Sequence, residues 1–77
     1  MGEKTFGPVP AYRAEYGKAD GVKVVAWVYR LPSGAWRAEV WWGCTLMAQG
    51  HYTTDPEAME AAKKIAARVL LHASIYV

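Results

Sequence analysis

Polar and apolar residues alternate through the middle of the chain. Residues 22–31 (VKVVAWVYRL) are rich in β-branched and aromatic side chains, which predicts the best strand in the sequence. Pro32, Ser33 and Gly34 then predict a hairpin turn, and residues 35–42 (AWRAEVWW) predict the returning strand. Gly43 and Cys44 mark another reversal. Residues 45–53 predict a weaker strand, in which Gly50 signals a bulge or close packing under something large. Upstream, Tyr12, Ala14 and Tyr16 alternate with Arg13 and Glu15, so residues 11–16 predict a short edge strand. Lys18, Ala19, Asp20 and Gly21 form its turn. Residues 1–10, punctuated by Gly2, Gly7, Pro8 and Pro10, predict an irregular arm with Phe6 and Val9 as anchors.

After residue 54 the apolar period changes from two to about 3.6. Asp55 can cap a helix, Pro56 suits its first position, and Glu57 complements the dipole. The alternative start has Thr54 as cap, with Glu57 completing a capping box. The helix is predicted over 55–72, with Met59, Ala62, Ile65, Ala66, Val69, Leu70 and Ala73 on its apolar face. Its alanines would let it approach a sheet closely. The fold class expected is α+β. A single domain over 1–77 is predicted, with an antiparallel meander of three or four strands and one C-terminal helix on one face.

One helix leaves one sheet face uncovered, and strand alternation says which. Val22, Val24, Ala26, Val28, Trp36, Ala38, Val40, Trp42, Leu46, Ala48, Gly50 and Tyr52 should meet the helix. The outer face then carries Lys23, Val25, Trp27, Tyr29, Leu31, Ala35, Arg37, Glu39, Trp41, Thr45, Met47, Gln49 and His51. An outer face normally reads polar, whereas this one holds several large apolar side chains. Three covers are open: the N-terminal arm folding back through Phe6, Val9 or Tyr12, a homodimer through this face, or a partner.

Composition narrows the chemistry. The chain has 77 residues, 53% of them hydrophobic, and a net charge of +2, so neither disorder nor an obligatory polyanion partner is implied. One cysteine excludes an internal disulfide framework and a multi-cysteine zinc site. Cys44 and His51 have opposite strand parity and cannot act together as nucleophile and base on one regular strand. His51 and His72 lack carboxylates to complete a metal set, and no phosphate loop is present. The expectation is a non-enzymatic chain with no cofactor, metal or membrane contact. The lone thiol and the lack of a signal peptide or bilayer-length apolar run predict a cytoplasmic location.

Residues 29–68 carry a resemblance. The run LPSGAWRAEV over 31–40, a third strand, and YTTDPEAMEAA over 52–62 resemble the arm-type DNA-binding domain of tyrosine recombinases. They are also similar to the plant ethylene-response domain. The resemblance implies three strands plus one helix, with the outer sheet face entering a DNA major groove. In the plant relatives the outward positions of the first two strands are largely arginine with one glutamate. The matching positions here hold Tyr29, Leu31, Glu39 and Trp41, so the glutamate is kept and the arginines are replaced. In size and layout the chain is also similar to small phage-encoded inhibitors, anti-CRISPR proteins among them.

The resulting expectation is a protein-binding module, in its most concrete form an inhibitor that binds a larger complex. Trp27, Tyr29 and Trp41 are the anchors, with Arg37, Glu39, Met47 and Gln49 around them. The alternative is a small nucleic-acid-binding protein using Lys23, Arg30, Arg37 and the same aromatics.

Overall fold

A computed structural model describes the backbone of residues 9–75 and the side chains of residues 11–72. Four strands, β1 (Val9–Ala19), β2 (Val22–Arg30), β3 (Trp36–Trp42) and β4 (Thr45–Tyr52), precede a single helix, α1 (Asp55–Ile75). The strands form one antiparallel meander in the order β1-β2-β3-β4. The α+β class and the helix-on-sheet layout thus agree with the alternation of the sequence.

The turns follow from local chemistry. Asp20 and Gly21 both have positive φ, the signature of a two-residue type I′ turn, which matches the right-handed twist of the flanking strands. Between β2 and β3, the Leu31 N–H donates to the Ala35 carbonyl and the Gly34 N–H to the Leu31 carbonyl, with Gly34 at φ +92°. Leu31, expected on the outer strand face, therefore belongs to this loop. Gly43 at φ +61° closes the β3–β4 turn, where any Cβ would meet Val22 Cγ1 at 2.8 Å.

The central strands bury the side that parity assigned to the helix. Val24, Ala26 and Val28 of β2 and Ala38 and Val40 of β3 join Ala58, Ala62 and Ala66 of α1 in one core. Cross-strand pairs on this side match a valine with an alanine, Ala26 with Val40 and Val28 with Ala38. Trp36, Trp42, Tyr16, Tyr52, Ile65, Val69 and Leu70 ring the cluster. The buried helix stripe begins at Ala58. Met59, expected on it, is exposed, because a spacing of four from Ala62 rather than three sets the contact line.

Edge strands depart further from expectation. β1 begins at Val9, inside the segment read as an arm, and runs well beyond residue 16. Its register slips between Pro10 and Tyr12 and again between Glu15 and Gly17. Tyr12 consequently lies opposite Val28, on the helix side, where its ring stacks on Trp36 at 6.5 Å. Its hydroxyl donates to Asp55 Oδ2 at 3.1 Å, which raises the phenol pKa. Tyr12 is therefore not a cover for the outer face. Phe6, and the side chains of Val9 and Ala73, lie outside the described residues.

In β4 the slip falls at Met47 rather than at Gly50. Val40 pairs with Ala48 but Trp41 pairs with Leu46, so Leu46 moves to the outer register and Thr45 to the inner one, the reverse of unbroken alternation. Gly50 answers to the other expectation, close packing: a Cβ there would lie 2.7 Å from the Tyr52 hydroxyl.

The helix start resolves in favour of Thr54. The Glu57 N–H donates to Thr54 Oγ1 at 3.4 Å and the Ala58 N–H to the Thr54 carbonyl at 3.2 Å. The Thr53 hydroxyl donates to Glu57 Oε1 at 2.7 Å. That bond, aided by Thr54, holds the Glu57 carboxyl below the usual carboxylate range. Asp55 is left to receive Tyr12. The helix continues to Ile75, past the expected end at 72.

Two outcomes test this account. Ala62→Leu should destabilise the fold by about 1–3 kcal/mol through overpacking, read as a lower urea midpoint, while Leu at exposed Ala67 should change it little. Because the folded-state pKa of Glu57 is lowered, its contribution is present above the unfolded value and is lost as pH falls through the folded one. The difference in urea midpoint between wild type and Glu57→Gln should therefore exist at neutral pH and vanish in acid.

Candidate functional site

The outer face is organised by cross-strand rows. Arg13, Trp27, Glu39 and Gln49 lie side by side across the four strands, and Tyr29, Arg37 and His51 form the next row. On the other flank run Glu15, Val25, Trp41 and Leu46, and beyond them Lys18 and Lys23. The pairing thus brings Trp27, Tyr29, Arg37, Glu39, Trp41 and Gln49 onto one surface.

Aromatic rings and guanidinium groups interleave on it. Arg13 Cζ sits 5.6 Å from the centre of the Trp27 ring. Trp27 stacks with Tyr29 at 6.2 Å and an interplanar angle of 21°. Arg37 Cζ lies 5.1 Å from the centre of the Tyr29 ring. The series Arg13, Trp27, Tyr29, Arg37 is therefore continuous, held by cation–π attraction at both ends and ring stacking between. Trp27 and Tyr29 are only half-exposed as a result.

Glu39 anchors the series from below. It is 7% exposed although it belongs to the face opposite the helix. Its Oε1 accepts the Trp41 indole N–H at 3.0 Å. Its Oε2 stands 3.1 Å from Arg37 Nε, whose N–H makes no hydrogen bond, so the attraction is that of an ion pair. A buried carboxylate needs such partners, because desolvation otherwise penalises its charge. Partial burial, followed by the nearby Glu39 carboxylate, raises the Tyr29 pKa. At the β1 side Glu15 is held by Arg13 at 3.0 Å and by Lys23 at 3.7 Å, and the hydrogen bond from Arg13 leads in lowering its pKa.

The face is thus less open than strand alternation alone implies. Val25 and Glu39 are buried on it, and Trp41 is half-buried. Leu46 at 40% and Met47 at 43% exposure form its accessible apolar margin. Met47 occupies the bulge of β4, beside rather than within the regular outer row. The expected nucleic-acid set is divided: Lys23 and Arg37 lie on the outer face, whereas Arg30 pairs with Trp36 in the helix-side register.

Arg13 and Leu46 were not foreseen as members of the site. The signal for Arg13 was its alternation with Tyr12 and Ala14, but its face depended on the slip at Tyr16. Cys44 is exposed in the β3–β4 turn, and no group of three His, Cys, Asp or Glu side chains suited to a metal ion occurs among the described residues. No helix among them is long and apolar enough to cross a membrane.

Glu39→Gln should retain an acceptor for Trp41 but leave the Arg37 charge without its counter-ion. We expect a loss of about 1–3 kcal/mol, measured by urea unfolding followed through tryptophan fluorescence. Arg37→Met in the same background should recover part of the loss, since the unpaired charge goes with it.

Compared with family models, with curated proteins and with solved structures, the chain matches none.

Proposed function

We propose that the chain is a non-catalytic protein-binding module acting through the outer face of its sheet. The observation that carries this reading is the Arg13–Trp27–Tyr29–Arg37 series, fixed beside buried Glu39. Trp, Tyr and Arg are the side chains that dominate binding energy at protein interfaces. Here they are held in place before any partner arrives, so little rotamer entropy remains to be lost on binding. Leu46 and Met47 add exposed apolar area beside them. The concrete form of such a module is an inhibitor that occupies a surface of a larger complex, in keeping with the likeness in size and layout to small phage-encoded inhibitors.

The nucleic-acid reading is the second choice. Arg13, Lys18, Lys23 and Arg37 share the face, which favours it. Against it, a stacking platform needs ring faces free for bases, and the Trp27 and Tyr29 faces are engaged by each other and by arginine.

Exposed residues make the cleaner test, because truncating half-buried Trp27 or Trp41 would disturb the fold as well. Capture from a lysate of the source cells should yield a partner that is lost with Leu46→Asp and with Arg13→Glu and kept with Lys63→Glu on the helix. All three variants should keep the wild-type circular dichroism. Labelled duplex and single-stranded DNA should show no rise in anisotropy at low salt. Strong binding that falls steeply with salt would instead install the nucleic-acid reading.

A further inference from the structure

The two edges of the sheet are built differently. The β1 edge carries Pro10, two register slips, Gly17 at φ +134° and the charged residues Arg13, Glu15 and Lys18. These are the devices by which proteins prevent strand-to-strand association. The β4 edge has none of them beyond its bulge. No Asp, Glu, Lys, Arg or Pro occurs from Thr45 to Thr54, and pairing with β3 is regular from Ala48 to Tyr52. Leu46 and Met47 beside it are exposed, as are Gln49 and His51.

Backbone direction identifies the free groups. The Gly43 N–H donates to the Lys23 carbonyl, so odd-numbered residues of this end of β3 address β2 and even-numbered ones address β4. Their β4 partners are Thr45, Ala48, Gly50 and Tyr52. The N–H and C=O groups of Gln49 and His51 therefore point away from the sheet, and β4 is the last strand of it among the described residues.

We infer that this edge binds a second copy of the same chain, β4 against β4, in an antiparallel pairing centred on Gly50. A two-fold axis there makes the strands antiparallel automatically, which is the isologous arrangement of most homodimers. Gln49 of each copy then faces His51 of the other, so the outward N–H and C=O groups satisfy one another. The side chains opposed in register are an amide and an imidazole, so no two like-charged groups face each other directly, as two lysines or two glutamates would. Gly50 at the centre brings no side chain between the two strands. A strand that pairs here must itself be free of blocking charge and proline, and a second copy of β4 is such a strand, already in self-complementary register. So short a pairing lies at the small end of interfaces, below about 1,200 Å², and the association is weak and concentration-dependent. The two outer faces would become one continuous sheet surface, independent of whether that surface binds a protein.

Sedimentation velocity over a range from low micromolar to near-millimolar protein, with reductant present so that exposed Cys44 forms no disulfide, tests the inference. Wild type should move from monomer to dimer, and Gln49→Lys/His51→Lys should remain monomeric throughout with unchanged circular dichroism. A wild type that stays monomeric, or a double variant that dimerises equally, overturns it. Should the double variant unfold, Cys44→Ser/Gln49→Cys/His51→Cys decides instead: oxidation should give far more covalent dimer than Cys44→Ser/Lys18→Cys on the β1 side, and equal yields would sink the pairing. Arg13→Glu should dimerise like wild type, so failure of the edge and failure of the outer-face reading are read separately.

Discussion

The approach of three helix alanines to the two central strands is the constraint on which the rest of the structure rests. Ala58, Ala62 and Ala66 are buried to the last percent, as are Val24 and Val40 across from them. A chain this short has one core, and a single helix must close it. Alanine at every fourth position removes the side chains that would hold the helix off, so the valines gain dense contact from both sides. The sheet contributes its own reliefs, with Val–Ala pairs on the inner surface of β2 and β3. Larger side chains, Trp36, Trp42, Tyr52, Ile65 and Leu70, are displaced to the rim, where they seal the core. The Trp42 indole N–H donates to the Ala19 carbonyl at 2.8 Å, which satisfies its polar end within the protein.

The closeness of that contact has a consequence on the opposite side. The single helix covers one face of the sheet, so among the described residues the second face manages its own apolar surface. It does so by covering aromatics with arginine and by burying its one central carboxylate among its own outer-face neighbours. Glu39 is neutralised by Arg37, and Trp41 completes its hydrogen bonding. The same residues thus give the outer face order, charge and aromatic area together. On the proposed binding reading, stability and recognition would share these side chains, and Leu46 and Met47 are the exposed apolar margin beside them.

The edge strands carry the irregularities. In β1 a glycine in the positive-φ region and two register slips bend the strand around the C-terminal part of α1; a Cβ on Gly17 would lie 3.6 Å from Leu70. In β4 one slip turns the strand end without interrupting the segment beyond it. Each bulge bends its strand and increases the local right-handed twist.

The amino-acid sequence by itself determined the architecture and the faces of the two central strands. Alternation over β2 and β3 is unbroken, each turn has residues suited to its φ values, and the helix start is written in Thr54, Pro56 and Glu57. Those signals are local, and local chemistry suffices to read them. The two edge strands needed the tertiary structure. A period-two pattern inverts its faces at every bulge, and whether a strand bulges depends on its partner and on the helix beneath it as well as on its own residues. For that reason Leu46 and Thr45 exchanged sides, Tyr12 joined the helix contact, and Arg13 reached Trp27. The burial of Glu39 was hidden for another reason: alternation gives a residue's face, whereas its exposure depends on the side chains packed around it, here Arg37 and Trp41.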